Sequence, residues 1–168
     1  YHYHCIINFI PCPGNGAGRL EDSMSGICFK VPGKPQGKAR ARTGYNPRTK
    51  QVMSHTPDNT VLYENFIKTC YMQTTDKIFD NGEPLSICIV ACFEPVKSTS
   101  KKQRELMLWN KIRPTKKPDI DNIIKAVLDA LNGVAYKDDT QVVQVMATKK
   151  YRDKAFVEVA IFELQMEE

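Results

Sequence analysis

The chain has 168 residues and a mass of 19.1 kDa, with 42% apolar and 26% charged residues. That is one ordinary globular core, which excludes a multidomain machine, a coiled coil and a disordered polymer. Its longest apolar run, residues 87–93, falls far short of the roughly 18 residues a membrane helix requires, and the net charge of +5 points away from acidic solvating chains.

Residues 1–23 differ from the rest of the chain. They begin without Met, pass through Pro11-Cys12-Pro13-Gly14-Asn15-Gly16-Ala17-Gly18, and hold no helical or strand period beyond a short apolar patch at 6–10. They are expected to be an extension foreign to the native chain, with the native start at Met24 and one domain over residues 24–168. His2, His4 and Cys5 could bind a metal, but irregular tail sequence more often places such residues together without one.

Ile27, Phe29 and Val31 alternate and predict a first strand at 26–31, closed by Pro32-Gly33. A basic loop is expected next. From Lys30 to Lys50 there are seven basic residues, among them Lys34, Lys38, Arg40 and Arg42, and no acid. Residues 58–73 place Val61, Leu62, Phe66, Ile67 and Cys70 at helical spacing behind Asp58 or Asn59 as a cap. The run 84–93 predicts a strand apolar enough to be central in its sheet. Residues 100–109 predict a short basic helix leading into a second basic loop that includes Lys116 and Lys117. From Lys97 to Lys117 eight basic residues stand against Glu105 alone, so each basic segment carries +7 and the rest of the chain, 5 minus 14, carries −9. Concentrated positive charge in Gly- and Pro-punctuated sequence suits a polyphosphate partner, nucleic acid first, because each neutralised phosphate releases condensed counterions. Solvated basic loops kept for solubility are the plain alternative.

The clearest helix comes next. Ile120, Ile123, Ile124, Val127, Leu128 and Leu131 form one apolar stripe, Asp119 sits at the N-cap position behind Pro118, and Gly133 stops the helix. Two strands at 141–149 and 155–164, joined by the turn Arg152-Asp153-Lys154, complete the chain. The order of elements predicts an α+β fold, a single domain with a mixed sheet packed against helices. Six cysteines without a CxxC pair or a recognisable secretory signal are expected to be reduced and structural, as in a cytoplasmic protein.

Asp119, Asp121, Lys125, Asp138 and Asp139 bracket that last helix. Grouped carboxylates are what a hard cation such as Mg²⁺ requires, and a nearby lysine can offset charge growing on a phosphoryl transition state. The plain alternative makes Asp119 a cap, Asp121 and Lys125 a surface pair, and Asp138-Asp139 turn formers. If the strand after Asp139 runs antiparallel to the helix, Asp139 need not lie near Asp119, and spacing leaves this open.

The run Lys117-Pro118-Asp119-Ile120-Asp121-Asn122-Ile123-Ile124-Lys125, continued by Asp129-Ala130-Leu131-Asn132-Gly133 and Asp138-Asp139-Thr140-Gln141-Val142, resembles the signature of the RusA family of Holliday junction resolvases. Pro32-Gly33-Lys34-Pro35-Gln36-Gly37-Lys38-Ala39-Arg40-Ala41-Arg42 resembles that family's basic loop, with Ala41 where proline is frequent. The resemblance covers residues 26–164. It implies a RusA-like fold and a homodimer related by a two-fold axis. It also implies a Mg²⁺-dependent endonuclease that resolves four-way (Holliday) DNA junctions by paired nicks in recombination and repair. By the same resemblance Asp119, Asp121 and Asp139 match the metal-binding carboxylates and Lys125 the essential lysine, with Asp138 the lesser member of its pair. Such a metal would lower the pKa of a bound water for in-line attack on phosphorus. The basic residues Lys34, Lys38, Arg40, Arg42, Lys116 and Lys117 are expected to contact DNA phosphates. A metal nuclease for other branched DNA and a non-cutting DNA-binding module are the competing readings.

Overall fold

The computed structural model describes residues 26–39, 42–55 and 57–164. The proposed start at Met24, the tail histidines, Cys5, Cys12 and Arg40 therefore lie outside the described residues. Among those described, no helix is long and apolar enough to cross a membrane.

Ten elements form one α+β unit. Among the described residues they are β1 (Gly26–Pro32), β2 (Arg42–Asn46), β3 (Gln51–His55), α1 (Asp58–Thr74), β4 (Leu85–Phe93), α2 (Lys101–Leu108), α3 (Ile120–Leu131), a short 3-10 turn (Asp139–Gln141), β5 (Val142–Tyr151) and β6 (Phe156–Glu163). The main sheet has the order β1-β6-β4-β5, with β4 and β5 parallel and the other pairs antiparallel. It is thus the mixed sheet expected, and β4, buried at eight of its nine positions, is central. α1 packs on β1 and α3, and α3 packs on β5, all on one sheet face. That face supplies Phe29, Val31, Ile87, Ile89, Val159 and Ile161, and the helices supply Ile67, Tyr71, Ile123, Val127 and Leu131. Each such fully buried side chain contributes about 1.5 to 3 kcal/mol by leaving water.

Two expectations need correction. The segment after β1 is not all loop: Arg42 to Asn46 pairs with Gln51 to His55 as a separate two-stranded hairpin, closed by residues 47–50 with Lys50 at φ 53°. Its apolar content is thin, so no strand period stands out above the Gly, Asn and Arg residues around it. The residue at the cap position of α1 is Pro57, with no side-chain cap bond, and Asp58 is already helical. Pro fits there because the first helical turn leaves N–H groups unpaired in any case.

The direction of α3 matters most for function. Lys149, late in β5, donates from Nζ to the carbonyls of Lys116 (2.6 Å) and Pro118 (2.9 Å), just before α3 begins. Tyr136, just before β5 begins, donates from Oη to the carbonyl of Leu128 in the last turn of α3 (2.9 Å). α3 therefore runs antiparallel to β5. Its start lies where β1, β4 and β5 end, and its end lies where they begin.

Candidate active site

At the start of α3 the basic loop is fastened to the helix. The Lys38 amide donates to the carbonyl of Asn122 (2.8 Å). Gly37 makes this approach possible: a Cβ there would stand 2.9 Å from Asn122 Cβ and 3.0 Å from Pro118 Cβ. The result is an open groove of about 580 Å³ lined by Lys34, Gly37 and Lys38 on one side and Lys117, Asp119 and Asn122 on the other. Segments some eighty residues apart in sequence thus place lysines beside the carboxylate of Asp119. The Lys149 bonds to the Lys116 and Pro118 carbonyls hold the far wall in place.

Within that groove the carboxylate of Asp119 has no structural employment. Asp119 occupies the N-cap position of α3 yet makes no side-chain cap hydrogen bond, although an aspartate there ordinarily does. Asp121 and Lys125 are exposed on the first turns of the same helix, and among the described residues no ion pair joins them. The three groups named for the cap-and-pair alternative are thus exposed, and Asp119 among them lines the groove with the basic loop.

Lys38 behaves differently from its neighbours. Its Nζ makes ion pairs with Asp129 of α3 and, at 3.0 Å, with Glu64 of α1. Partial burial alone would lower its pKa, but the hydrogen bonds and charges of Asp129 and Glu64 prevail and raise it above the ordinary lysine value. Lys38 pins the loop to two helices, whereas Lys34, Lys116 and Lys117 are exposed. Arg42 sits in β2. Asn122, Glu64, Asp129 and Lys149 were not singled out from sequence. Asp129 lies inside the quoted motif, but nothing local marks it as an anchor for a loop ninety-one residues earlier.

The opposite end of α3 carries the aspartate pair. Asp138 accepts from the Thr140 amide (2.9 Å) and forms a capping box with Gln141, so its carboxyl is held below the usual carboxylate range by the Thr140 backbone bond above all. Gln141 Nε2 donates to the carbonyl of Phe79 (3.1 Å), which fixes the turn to the start of the sheet. Asp139 is exposed on this turn. Burial above all raises the pKa of the Tyr136 phenol, and the charges of Asp139 and Asp129 add to the rise.

Asp119 and Asp121 therefore stand at one end of α3 and Asp139 at the other. Twelve residues of helix span about 18 Å, whereas oxygens on one Mg²⁺ are at most about 4 Å apart, since each sits about 2 Å from the ion. Among the described residues no group of three or more His, Cys, Asp and Glu side chains is placed to hold a metal ion. The structure sets Asp119 beside the basic loop, leaves Asp121 and Lys125 exposed on the helical turns that follow, and does not bring Asp139 to them within one chain.

Comparison with known proteins gives a family and one relative. The family model of endodeoxyribonuclease RusA matches residues 32–162, a span that holds both the basic loop and α3. A Bacillus subtilis (strain 168) protein described as uncharacterized protein YqaN is 35% identical over 144 residues, covering 84% of this chain and 99% of that protein.

Proposed function

The chain belongs to the RusA endodeoxyribonuclease family, and from that premise we propose that it is a Mg²⁺-dependent resolvase that cuts four-way DNA junctions by paired nicks as a homodimer. The observation that carries this reading is the fastening of the basic loop to the first turn of α3, which sets Lys34 and Lys117 beside Asp119. A phosphodiester drawn into the groove by the lysines meets carboxylates that the fold does not otherwise use. Binding alone would gain from removing those carboxylates, because they repel phosphate, so their place in a basic groove favours cutting over mere capture.

In this reading Asp119, Asp121 and Asp139 bind the metal, and Lys125 offsets negative charge on the phosphoryl group. Lys34, Arg40, Arg42, Lys116 and Lys117 contact backbone phosphates, and Lys38 orients the loop that carries Lys34. Two equivalent sites related by a two-fold axis suit two nicks placed symmetrically across a junction. The test is cleavage of a synthetic four-way junction beside matched fork, flap and duplex DNA, with and without Mg²⁺. Paired nicks restricted to the junction are expected. Equal cutting of flaps would assign a broader branched-DNA nuclease, and tight junction binding without cutting would assign a binding module.

A further inference from the structure

We propose that α2 and the turn that ends it form a second DNA-binding surface, on which basic side chains hold a junction arm by its phosphates and Trp109 stacks on a base face exposed where the arms part. This rests on the reading above and adds what lets the site tell branched DNA from plain duplex. Phosphate contacts position a protein on DNA but carry no information about where a junction lies. In a continuous duplex each base face is covered by its neighbours, whereas a branch point leaves faces open to an aromatic side chain. Trp109 is 72% exposed, an unusual place for so large an aromatic residue. α2 itself holds no buried residue, so packing does not account for the tryptophan.

The indole is presented by a well-bonded turn. Asn110 takes a left-handed backbone (φ 59°), its amide donates to the carbonyl of Met107 (3.0 Å), and the Lys111 amide donates to that of Leu106 (2.9 Å). That pair of bonds closes the helix with Trp109 at its C-cap. Arg152 Nη1 donates to Asn110 Oδ1 at 3.5 Å, and Lys149 Nζ holds the carbonyls of Lys116 and Pro118. The two tethers are three residues apart, about 10 Å of extended chain. Residues 110–118 are thus fixed at both ends beside the end of β5, and Trp109 belongs to the same end of the sheet as Asp119. Around it Lys101, Lys102, Lys111, Arg113, Lys116 and Lys117 are exposed, and among the described residues none of the six makes an ion pair. Glu105 is the one acid between Lys97 and Lys117. Charge complementarity, and continuity with the groove through Lys117, make a DNA arm the occupant.

Trp109 is the sole tryptophan of the chain, so intrinsic fluorescence reads it without a label. The full chain is titrated without Mg²⁺ with a synthetic four-way junction and with duplex of the same arm sequence. The junction should quench Trp109 emission, and the duplex should leave most of it. Trp109→Ala should weaken junction binding about tenfold and duplex binding hardly at all, with an unchanged salt slope, while Trp109→Phe restores most of the affinity. Lys102→Ala and Lys111→Ala should instead weaken binding to both DNAs and flatten the salt dependence by about one unit of slope each. Emission that the junction leaves unmoved overturns the proposal, and so does a Trp109→Ala loss equal for junction and duplex. Emission that shifts with protein concentration in the absence of DNA marks Trp109 as a contact between copies and overturns it too. The wild-type titration decides these points even if Trp109→Ala fails to fold. The two readings fail separately. Wild-type protein that cuts junctions while Trp109 emission stays unmoved refutes this surface alone. Quenching confined to the junction, with no cutting of it once Mg²⁺ is added, refutes the resolvase reading alone.

Discussion

The two ends of α3 carry the same kind of residue to different ends. At its C-terminal side the polar groups are employed in folding: Asp138 caps the 3-10 turn, Gln141 ties that turn to Phe79, and Tyr136 closes on Leu128. At its N-terminal side Asp119 holds the cap position without capping in a groove lined with lysines, and Asp121 and Lys125 stay exposed on the turns that follow. A polar residue whose hydrogen bonds are all intramolecular is accounted for by stability. One that stands by itself in a field of opposite charge calls for a ligand.

The largest effects expected are on cleavage and test that contrast directly. Asp119→Asn and Asp121→Asn should lower junction cleavage by orders of magnitude and leave the melting temperature unchanged, because neither carboxylate makes a folding contact. Affinity for the junction without Mg²⁺ should hold or rise, since negative charge leaves the groove. Lys125→Ala should also stop cutting but with equal or weaker binding. Retained cleavage in a folded Asp119→Asn or Asp121→Asn protein would reject the site assignment.

Next in size is a division among the lysines. Lys38→Ala leaves Glu64 and Asp129 facing each other without their shared cation, and should lower stability by about 1 kcal/mol. The melting temperature should then fall by about 2 to 4 °C. Lys34→Ala should leave stability alone and flatten the salt dependence of junction binding by about one unit of slope per lost phosphate contact. Thermal melts and binding titrations across a salt series separate the two roles. Equal melting temperatures for the two variants would show that Lys38 does not anchor the loop.

Much of this was legible in sequence, and the parts that were not share a cause. The stripe from Ile120 to Leu131 with Gly133 behind it announces α3, and the alternation of β1 and the apolar run of β4 announce their strands. The signature around Asp119 and Asp139 identifies the family. Spacing along a chain does not carry direction in space, however. A helix of twelve residues followed by an antiparallel strand separates two aspartates that the motif presents as one set. The same limit hid the contact between Gly37 and Asn122, because no local pattern reports which loop a distant helix will accept. β2 and β3 went unread for a different reason: Tyr45, Val52 and Met53 are too few apolar residues to raise a period above their polar neighbours.

A smaller effect divides the aspartate pair. Asp138→Ala should lower the melting temperature slightly and Asp139→Asn should not, because only Asp138 accepts the Thr140 amide. Cleavage should show the reverse order. The lowered pKa of Asp138 fixes the pH dependence: its contribution is present above the ordinary aspartate range and is lost as the pH falls through the folded value. The difference in melting temperature between wild type and Asp138→Ala should therefore shrink on acidification. A difference that persists at strongly acid pH would rule out the carboxylate as its source.

The smallest effect lies away from both ends of α3, on the sheet face turned from the core. Cys88 and Cys92 are i and i+4 on β4, opposite to Ile87, Ile89 and Ala91, and both are buried and free. Burial pushes the Cys92 thiol up to about 11, against weaker opposing pulls from Arg152, Lys150 and Lys30, and Cys88 shifts the same way. A thiol at that value is almost wholly protonated at about pH 8, and the protonated form is a poor nucleophile. Alkylation of Cys92 in the folded protein should therefore be slow at about pH 8 and accelerate up to about pH 11, whereas denatured chain should react at the ordinary rate. The sign of the linkage agrees: a raised thiol pKa favours the fold fully below the unfolded value near 9, and that contribution fades as the pH climbs through about 11. Rapid, complete modification of Cys92 in folded protein at about pH 8, read by mass spectrometry, would mean that this end of β4 opens far more readily than its place in the middle of the sheet allows.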